Sequence, residues 1–382
     1  MYPTRKERLA AQHLKRFYSL RRRVILIGSV LILIIAATAA YILSQAKEPF
    51  NNPGHASYAP SVPPAKQTDP SVTLTFVGDI MMSGRVEALL KVKGYAHPYA
   101  YVKSIFQQDD YTIANLETPV TRRGTPAANK EYVYKSPPEA IPAMKAAGID
   151  LVNLANNHSL DQGAEGLLDT FQVLGEQTIS YTGAGIDQEQ AYAPTYIERN
   201  GIRIAFFGFS RVIPEVGWYA GKGKPGVAAT YDPAFAVNAI GKAKKKADLV
   251  VVLTHWGKER VDYPVDHQRT LARAYMDAGA DLVVGGHPHV LQGFESYKGK
   301  WVAYSMGNFI FTRSQEPKTW ETMVLQAKCT KNEGCQLKMT PFHAQLGQAV
   351  PMNEADGAAL RKRIESLSLN ARIDEEGNVT QK

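Results

Sequence analysis

The chain has 382 residues, 45% hydrophobic and 21% charged, with a formal net charge of +8, which is enough for one large or two modest domains with a real core. That charge does not mark a nucleic-acid binder. Eight of the 44 Lys and Arg but only one of the 36 acids lie in residues 1–23, and the remainder is close to neutral.

The basic tail, residues 1–23, precedes an uncharged run of apolar and small residues at 24–43. Its length suits one transmembrane helix and exceeds a typical signal-peptide core. The basic excess before it predicts a cytoplasmic N-terminus and an extracellular main domain in the cell membrane. The competing reading is a cleaved signal peptide, for which the small residues at 36–40 offer a site. Residues 44–71, rich in Pro, Ala, Ser, Asn and Gln, predict an extended tether. The folded domain is expected over 72–345, with a C-terminal helix and tail over 346–382.

The strand predicted at 72–77 ends in Gly78-Asp79-Ile80-Met81, ahead of a helix carrying Val86, Leu89 and Leu90. Asp79 reads either as an N-cap or as a ligand. A second strand at 111–114 ends in Asn115-Leu116-Glu117. A helix over 138–147, closed by Gly148, leads to a strand at 150–154 that ends in Ala155-Asn156-Asn157-His158, with Asp161 just beyond. A helix from 164 to 175 precedes a short strand ending at Tyr181. Strands at 195–199 and 203–209, joined by Asn200-Gly201, predict a hairpin.

Gly221-Lys222-Gly223-Lys224-Pro225-Gly226 fits a dinucleotide-binding pattern by letter. It neither follows a strand nor opens a helix, so it reads as a loop. An amphipathic helix over 233–246 precedes an all-apolar strand at 248–254, buried on both faces, that ends in His255-Trp256-Gly257. A helix at 266–278 and a strand at 281–284 lead to Gly285-Gly286-His287-Pro288-His289. A strand at 300–305 ends in Met306-Gly307-Asn308-Phe309. Strands near 322–329 and 336–342 bring Cys329 and Cys335 to either side of a turn, as a hairpin disulfide or as two free thiols. A helix near 354–367 closes the domain.

Strand, polar loop and helix thus repeat, which predicts an α/β fold whose strand ends converge. Asp79, Asn115, Glu117, Asn157, His158, His255, His287 and His289 all fall at such ends. Oxygen and imidazole donors without thiolate suit one or two divalent ions such as Mn, Fe or Zn. Two ions would sit roughly 3.5–4 Å apart, the spacing used to activate water for attack on phosphorus.

Six motifs in order, Gly78-Asp79-Ile80-Met81, Asn115-Leu116-Glu117, Ala155-Asn156-Asn157-His158, His255-Trp256-Gly257, Gly286-His287-Pro288-His289 and Ser305-Met306-Gly307-Asn308-Phe309, resemble those of the CapA/PgsA family. These are poly-γ-glutamate capsule biosynthesis proteins of Gram-positive bacteria, related in turn to calcineurin-like metallophosphatases. The resemblance spans about residues 73–311. It implies a four-layer α/β sandwich of the metallophosphatase type. It implies metal ligation by Asp79, Glu117 as the bridge, Asn157, His255, His287 and His289, with His158 as acid; in a hydrolase Asp161 would orient that histidine. Expected substrate contacts are Asn115, Asn156, Lys258 and Asn308. Met81 stands where the metallophosphatase motif carries a histidine, and Glu117 where it carries aspartate. One ion position is therefore weakened or filled by another group.

The resemblance also implies a membrane-anchored extracellular part of poly-γ-glutamate synthesis and export. Its partners would be membrane-embedded synthase subunits and the polymer, met locally by Lys222, Lys224, Lys258 and Arg260, with no nucleic acid. The alternative is an extracellular metal-dependent hydrolase of phosphoesters or γ-glutamyl amides. No Walker motif is present, which disfavours ATP-driven ligation.

Overall fold

The computed structural model describes residues 69–382. The expected basic tail, the expected anchor at 24–43 and most of the expected tether lie outside the described residues. No helix among the described residues is long and apolar enough to cross a membrane.

Two sheets face each other, with helices on both outer surfaces. Along its hydrogen-bonded path the first sheet runs Ala371–Ile373, Asn378–Gln381, Gly334–Gln345, Glu321–Thr330, Ser71–Ile80, Tyr111–Leu116, Ile149–Asn153, Ser180–Thr182. The last four are parallel, as helical crossovers require. The second sheet runs Phe294–Tyr297, Lys300–Ala303, Leu282–Gly286, Leu249–His255, Ile202–Ser210, Thr195–Arg199. It is parallel in the middle and antiparallel at both edges.

Alternation along the strands sorts side chains between layers. Leu249, Val251 and Leu253 enter the core between the sheets with Leu74, Phe76, Ile113, Ile204 and Phe206. Val250 and Val252 turn the other way and pack with Ile240, Leu271 and Tyr275, from helices Ala234–Lys244 and Asp266–Ala278. On the far face of the first sheet, Ala114 and Val152 pack with Leu90, Phe106, Met144 and Leu167 from four further helices. The layers therefore run helix, sheet, sheet, helix. Each large apolar side chain between them stabilises the fold by roughly 1.5–3 kcal/mol.

Helices Asp266–Ala278 and Glu354–Leu367 match their predicted bounds, and other predicted elements shift by a few residues. Asn200 and Gly201 both take positive φ, 51° and 73°, which a two-residue hairpin turn needs. The edge hairpin Phe294–Tyr297 with Lys300–Ala303 is only half legible in the sequence. Its first strand hides because Glu295 interrupts the apolar pattern, although Glu295 is buried and paired with Arg273 and Tyr304. The short strands Ala371–Ile373 and Asn378–Gln381 also escape sequence reading. The glycine-rich stretch is a loop that ends in Gly226–Val227, paired with Ala184–Gly185. Cys329 and Cys335 face each other in strand register and form a disulfide.

One close approach positions the functional end of the sheet. A Cβ at Gly78 would lie 2.0 Å from Gly307 O. Only glycine there lets the Asp79 N–H donate to Gly307 O at 3.0 Å, which holds Asp79 against the 305–308 turn.

Candidate metal centre

The strand ends of both sheets open onto one seam. The first sheet brings Asp79, Asn115, Glu117 and, just past Asn153, Asn157. The second brings His255, His287 and His289. Glu117 lies among them. Its N–H donates to Ile80 O at 2.9 Å. Its carboxylate is fully buried, and neither oxygen has a hydrogen-bond partner among the described residues. His255 Nε2 and His289 Nε2 lie 3.4 and 3.9 Å from Glu117 Oε1, close enough for charge attraction but not for a good hydrogen bond.

These charges act on one another. Burial alone would raise the Glu117 pKa, but His255 and His289 hold its carboxyl well below the usual range. Burial, and then the charge of Glu117, push Asp79 up. Burial opposes a proton on His289, yet Glu117 and Asp79 hold its pKa up at about 9. Burial, with His255 and His289, drives His287 well below its ordinary value. His287 Nδ1 is buried and has no partner among the described residues.

An unpaired buried group of this kind costs roughly 1–3 kcal/mol, a cost that a bound ion or water at this site would relieve. The ligand atoms of Glu117, His255 and His287 all lie within 4.8 Å of one another, as do those of Asp79, Glu117 and His289. The two sets share Glu117. Asn157 Oδ1 lies 2.7 Å from His255 Nε2 and adds an amide oxygen to the first set. Such donors fit divalent ions of the Mn, Fe and Zn kind. When bound, an ion of that class supplies Lewis-acid polarisation of a phosphoryl or carbonyl oxygen.

The backbone is shaped for this end. His287 and His289 take positive φ, 92° and 56°. Non-glycine residues in that region cost on the order of 1–3 kcal/mol and cluster at functional sites. A Cβ at Gly286 would lie 2.8 Å from Asp79 Oδ1, so glycine leaves the carboxylate its room. His289 Nδ1 lies 2.9 Å from Asn308 Oδ1, which fixes the ring and turns Nε2 toward Glu117.

Amides hold the candidate ligands in place. Asn115 Nδ2 donates to Asp79 Oδ1 at 2.8 Å, and Asn115 Oδ1 accepts from Asn153 Nδ2 and Asn156 Nδ2 at 3.1 and 3.3 Å. Asn308 Nδ2 donates to Thr319 O at 3.3 Å. Asn115, Asn156 and Asn308 are buried, and each is engaged with protein groups. Metal ligation needs fixed side-chain orientations, and these amides would provide them to the candidate ligands. Lys258 is exposed on the loop after Gly257.

Beside Asn157 lies a cluster of titratable side chains. His158 Nδ1 is 2.7 Å from Asp161 Oδ2. Lys130 Nζ is 2.8 Å from His158 Nδ1 and also donates to Asp161 and to the Asn157 carbonyl. The Tyr134 ring packs on His158 with centroids 4.9 Å apart. Burial pulls the Lys130 pKa down against the pull of Asp161. Burial pushes the Tyr134 hydroxyl up to about 12. Lys130 escapes sequence reading because its loop, 121–135, has no periodicity. Glu259 escapes it too, and its carboxylate lies within 4.8 Å of ligand atoms of His287 and His289. The available signal is an acid two residues beyond the His255-Trp256-Gly257 strand end.

The family of bacterial capsule synthesis protein PGA_cap matches residues 73–313, a span that holds every residue of this centre. The PGA biosynthesis protein CapA of Bacillus subtilis (strain 168) is 37% identical over 289 residues, 75% of each chain. The capsule biosynthesis protein CapA of Bacillus anthracis is 36% identical over 303 residues, 77% of this chain and 73% of that one. By the extent of these matches, the chain belongs to the bacterial capsule synthesis protein PGA_cap family.

Proposed function

We propose that this protein is a membrane-anchored, extracellular component of poly-γ-glutamate synthesis and export, with a divalent metal centre built around Glu117. Family membership and the capsule-biosynthesis names of its relatives support the polymer role. The observation that carries the metal centre is the buried Glu117 carboxylate, unbonded and surrounded by imidazoles. In this reading residues 1–23 stay in the cytoplasm, 24–43 span the bilayer, and 44–71 tether the metallophosphatase-type domain at 72–345 outside. The basic tail suits anionic lipid. Membrane-embedded synthase subunits and the emerging polymer are its partners.

Polymer-producing cells test this reading. Surface poly-γ-glutamate is measured in cells with the wild-type chain, without it, and with Glu117→Ala. Loss on deletion is expected, with a comparable loss in the variant. Unchanged polymer on deletion overturns the synthesis role. Unchanged polymer with Glu117→Ala separates the metal centre from that role.

A second reading is favoured by the His158–Asp161–Lys130 group. A buried imidazole and carboxylate beside a metal centre suit proton transfer during hydrolysis. In that reading the substrate is an envelope phosphoester or a γ-glutamyl amide. Turnover of either class by the purified chain, abolished by His158→Ala, supports it, and no turnover of either class with metal bound removes it.

A further inference from the structure

Glu259 stands apart from the ordinary exposed acids of this domain. It sits on the loop after Gly257, solvent-exposed, with no hydrogen bond or ion pair to any described residue. Yet its carboxylate comes within 4.8 Å of ligand atoms of both His287 and His289, one buried and one half-buried. The three ligand atoms lie close enough together for one ion to sit between them.

The backbone holds it there. Gly257 has φ 89°, and a Cβ on it would lie 2.7 Å from Gln268 Oε1, so the loop turns where only glycine fits. Arg260 follows with φ 60°, another left-handed non-glycine residue. Its N–H donates to Pro288 O at 2.8 Å, which joins this loop to the turn that carries both histidines. Two segments with uncommon backbone are thus fastened together, with one carboxylate and two imidazoles at the joint. Strained positions gather where function over-determines them.

We propose that Glu259 is a metal ligand that supplies a solvent-side carboxylate to the divalent ion held by His289. The inference rests on the reading of the seam as a metal centre. It divides that centre into an inner position, at Glu117, His255, His287 and Asn157, and an outer one that the 257–263 loop completes. The outer ion enters and leaves from solvent and is the more weakly held, because one of its ligands lies on an exposed loop. It is an ion of the Mn or Zn class, suited to mixed carboxylate and imidazole donors.

The test is a Mn²⁺ titration of the full-length chain, wild type against Glu259→Gln and Glu259→Asp. Bound metal is counted by elemental analysis, and the Mn²⁺ electron paramagnetic resonance signal is recorded. The wild type is expected to bind about two ions and to give a spin-coupled signal, and Glu259→Gln to bind about one and give an isolated-ion signal. Glu259→Asp, which keeps the charge on a shorter arm, is expected to recover part of the second ion. Glu131→Gln removes an exposed acid from a neighbouring loop and is expected to change neither reading. Equal loss in Glu131→Gln and Glu259→Gln would mean general charge, not ligation, and would overturn the proposal. Two ions with unchanged affinity in Glu259→Gln would overturn it and leave the metal centre standing. A wild-type chain that binds no Mn²⁺ would overturn both.

Discussion

Gly286 and Asp79 come from different sheets, and a single methyl group separates a roomy carboxylate from a crowded one. A Cβ at Gly286 would meet Asp79 Oδ1 at 2.8 Å, and Gly286 is not among the positive-φ glycines. Gly286→Ala therefore moves Asp79 without imposing backbone strain. Divalent-ion affinity is expected to fall about 10–100-fold, the range for disturbed ligand orientation, while the melting temperature changes little. Calorimetric titration with Mn²⁺ checks this, and undiminished affinity would remove Asp79 from the ligand set. His287→Ala and His289→Ala are each expected to lower metal content in a folded protein, and full stoichiometry in both would sink the assignment. The gathering of Asp79, Glu117, His255, His287 and His289 is legible in the sequence because each follows an apolar run, and parallel strand ends converge. The work of Asn115, Asn156 and Asn308 is not legible. An amide reads the same whether it faces a substrate or steadies a ligand. Lys130 is invisible for another reason: it arrives from an irregular loop, and only the folded chain brings it to His158.

At the scale of elements, apolar runs and helical periodicity give the inner strands and the amphipathic helices. The edges are harder, since an edge strand such as Phe294–Tyr297 mixes buried charge with apolar contact. The hairpin formed by Glu321–Thr330 and Gly334–Gln345 carries the disulfide one pair in from its turn, across Cys329 and Cys335. The closed loop is short, so the bond contributes only about 2 kcal/mol through chain entropy. Reduction is expected to raise hydrogen exchange in these two strands and leave the second sheet protected. Equal deprotection of both sheets would contradict that local role. Helix Gly163–Glu176 has a different tie. Hydrogen bonds from Arg123, and secondarily from Thr121, hold the Asp169 carboxyl below its ordinary value against the effect of burial. A depressed folded value means stability that is present above the unfolded pKa, near 4, and is lost as pH falls through the folded value. Asp169→Asn is expected to be less stable than wild type at neutral pH and to converge with it in acid. Urea unfolding across that range checks the sign, and a gap that widens in acid would refute it.

At the scale of the molecule, the centre joins two sheets that otherwise meet through an apolar core. Asp79 and Glu117 come from one sheet, His255, His287 and His289 from the other. An ion bound across the seam binds only the folded arrangement, so it stabilises by mass action, by about 2.7 kcal/mol at a hundredfold excess over Kd. For a domain of this size that is a rise in melting temperature of roughly 5 °C. Glu117 also carries a desolvation cost when no ion is bound, offset in part by the charges of His255 and His289, because both its oxygens lie buried without a hydrogen bond. Glu117→Ala removes that cost and the binding gain together. The expected result is an inversion: with Mn²⁺ the wild-type chain melts above Glu117→Ala, and with chelator it melts at or below it. Scanning calorimetry of the full-length chain, with and without chelator, reads both comparisons. A wild type that stays above the variant under chelation would mean that Glu117 stabilises the seam through its histidines alone, as an ion pair across the sheets. The inversion would mean that the buried carboxylate is retained for the ion at the expense of the empty fold.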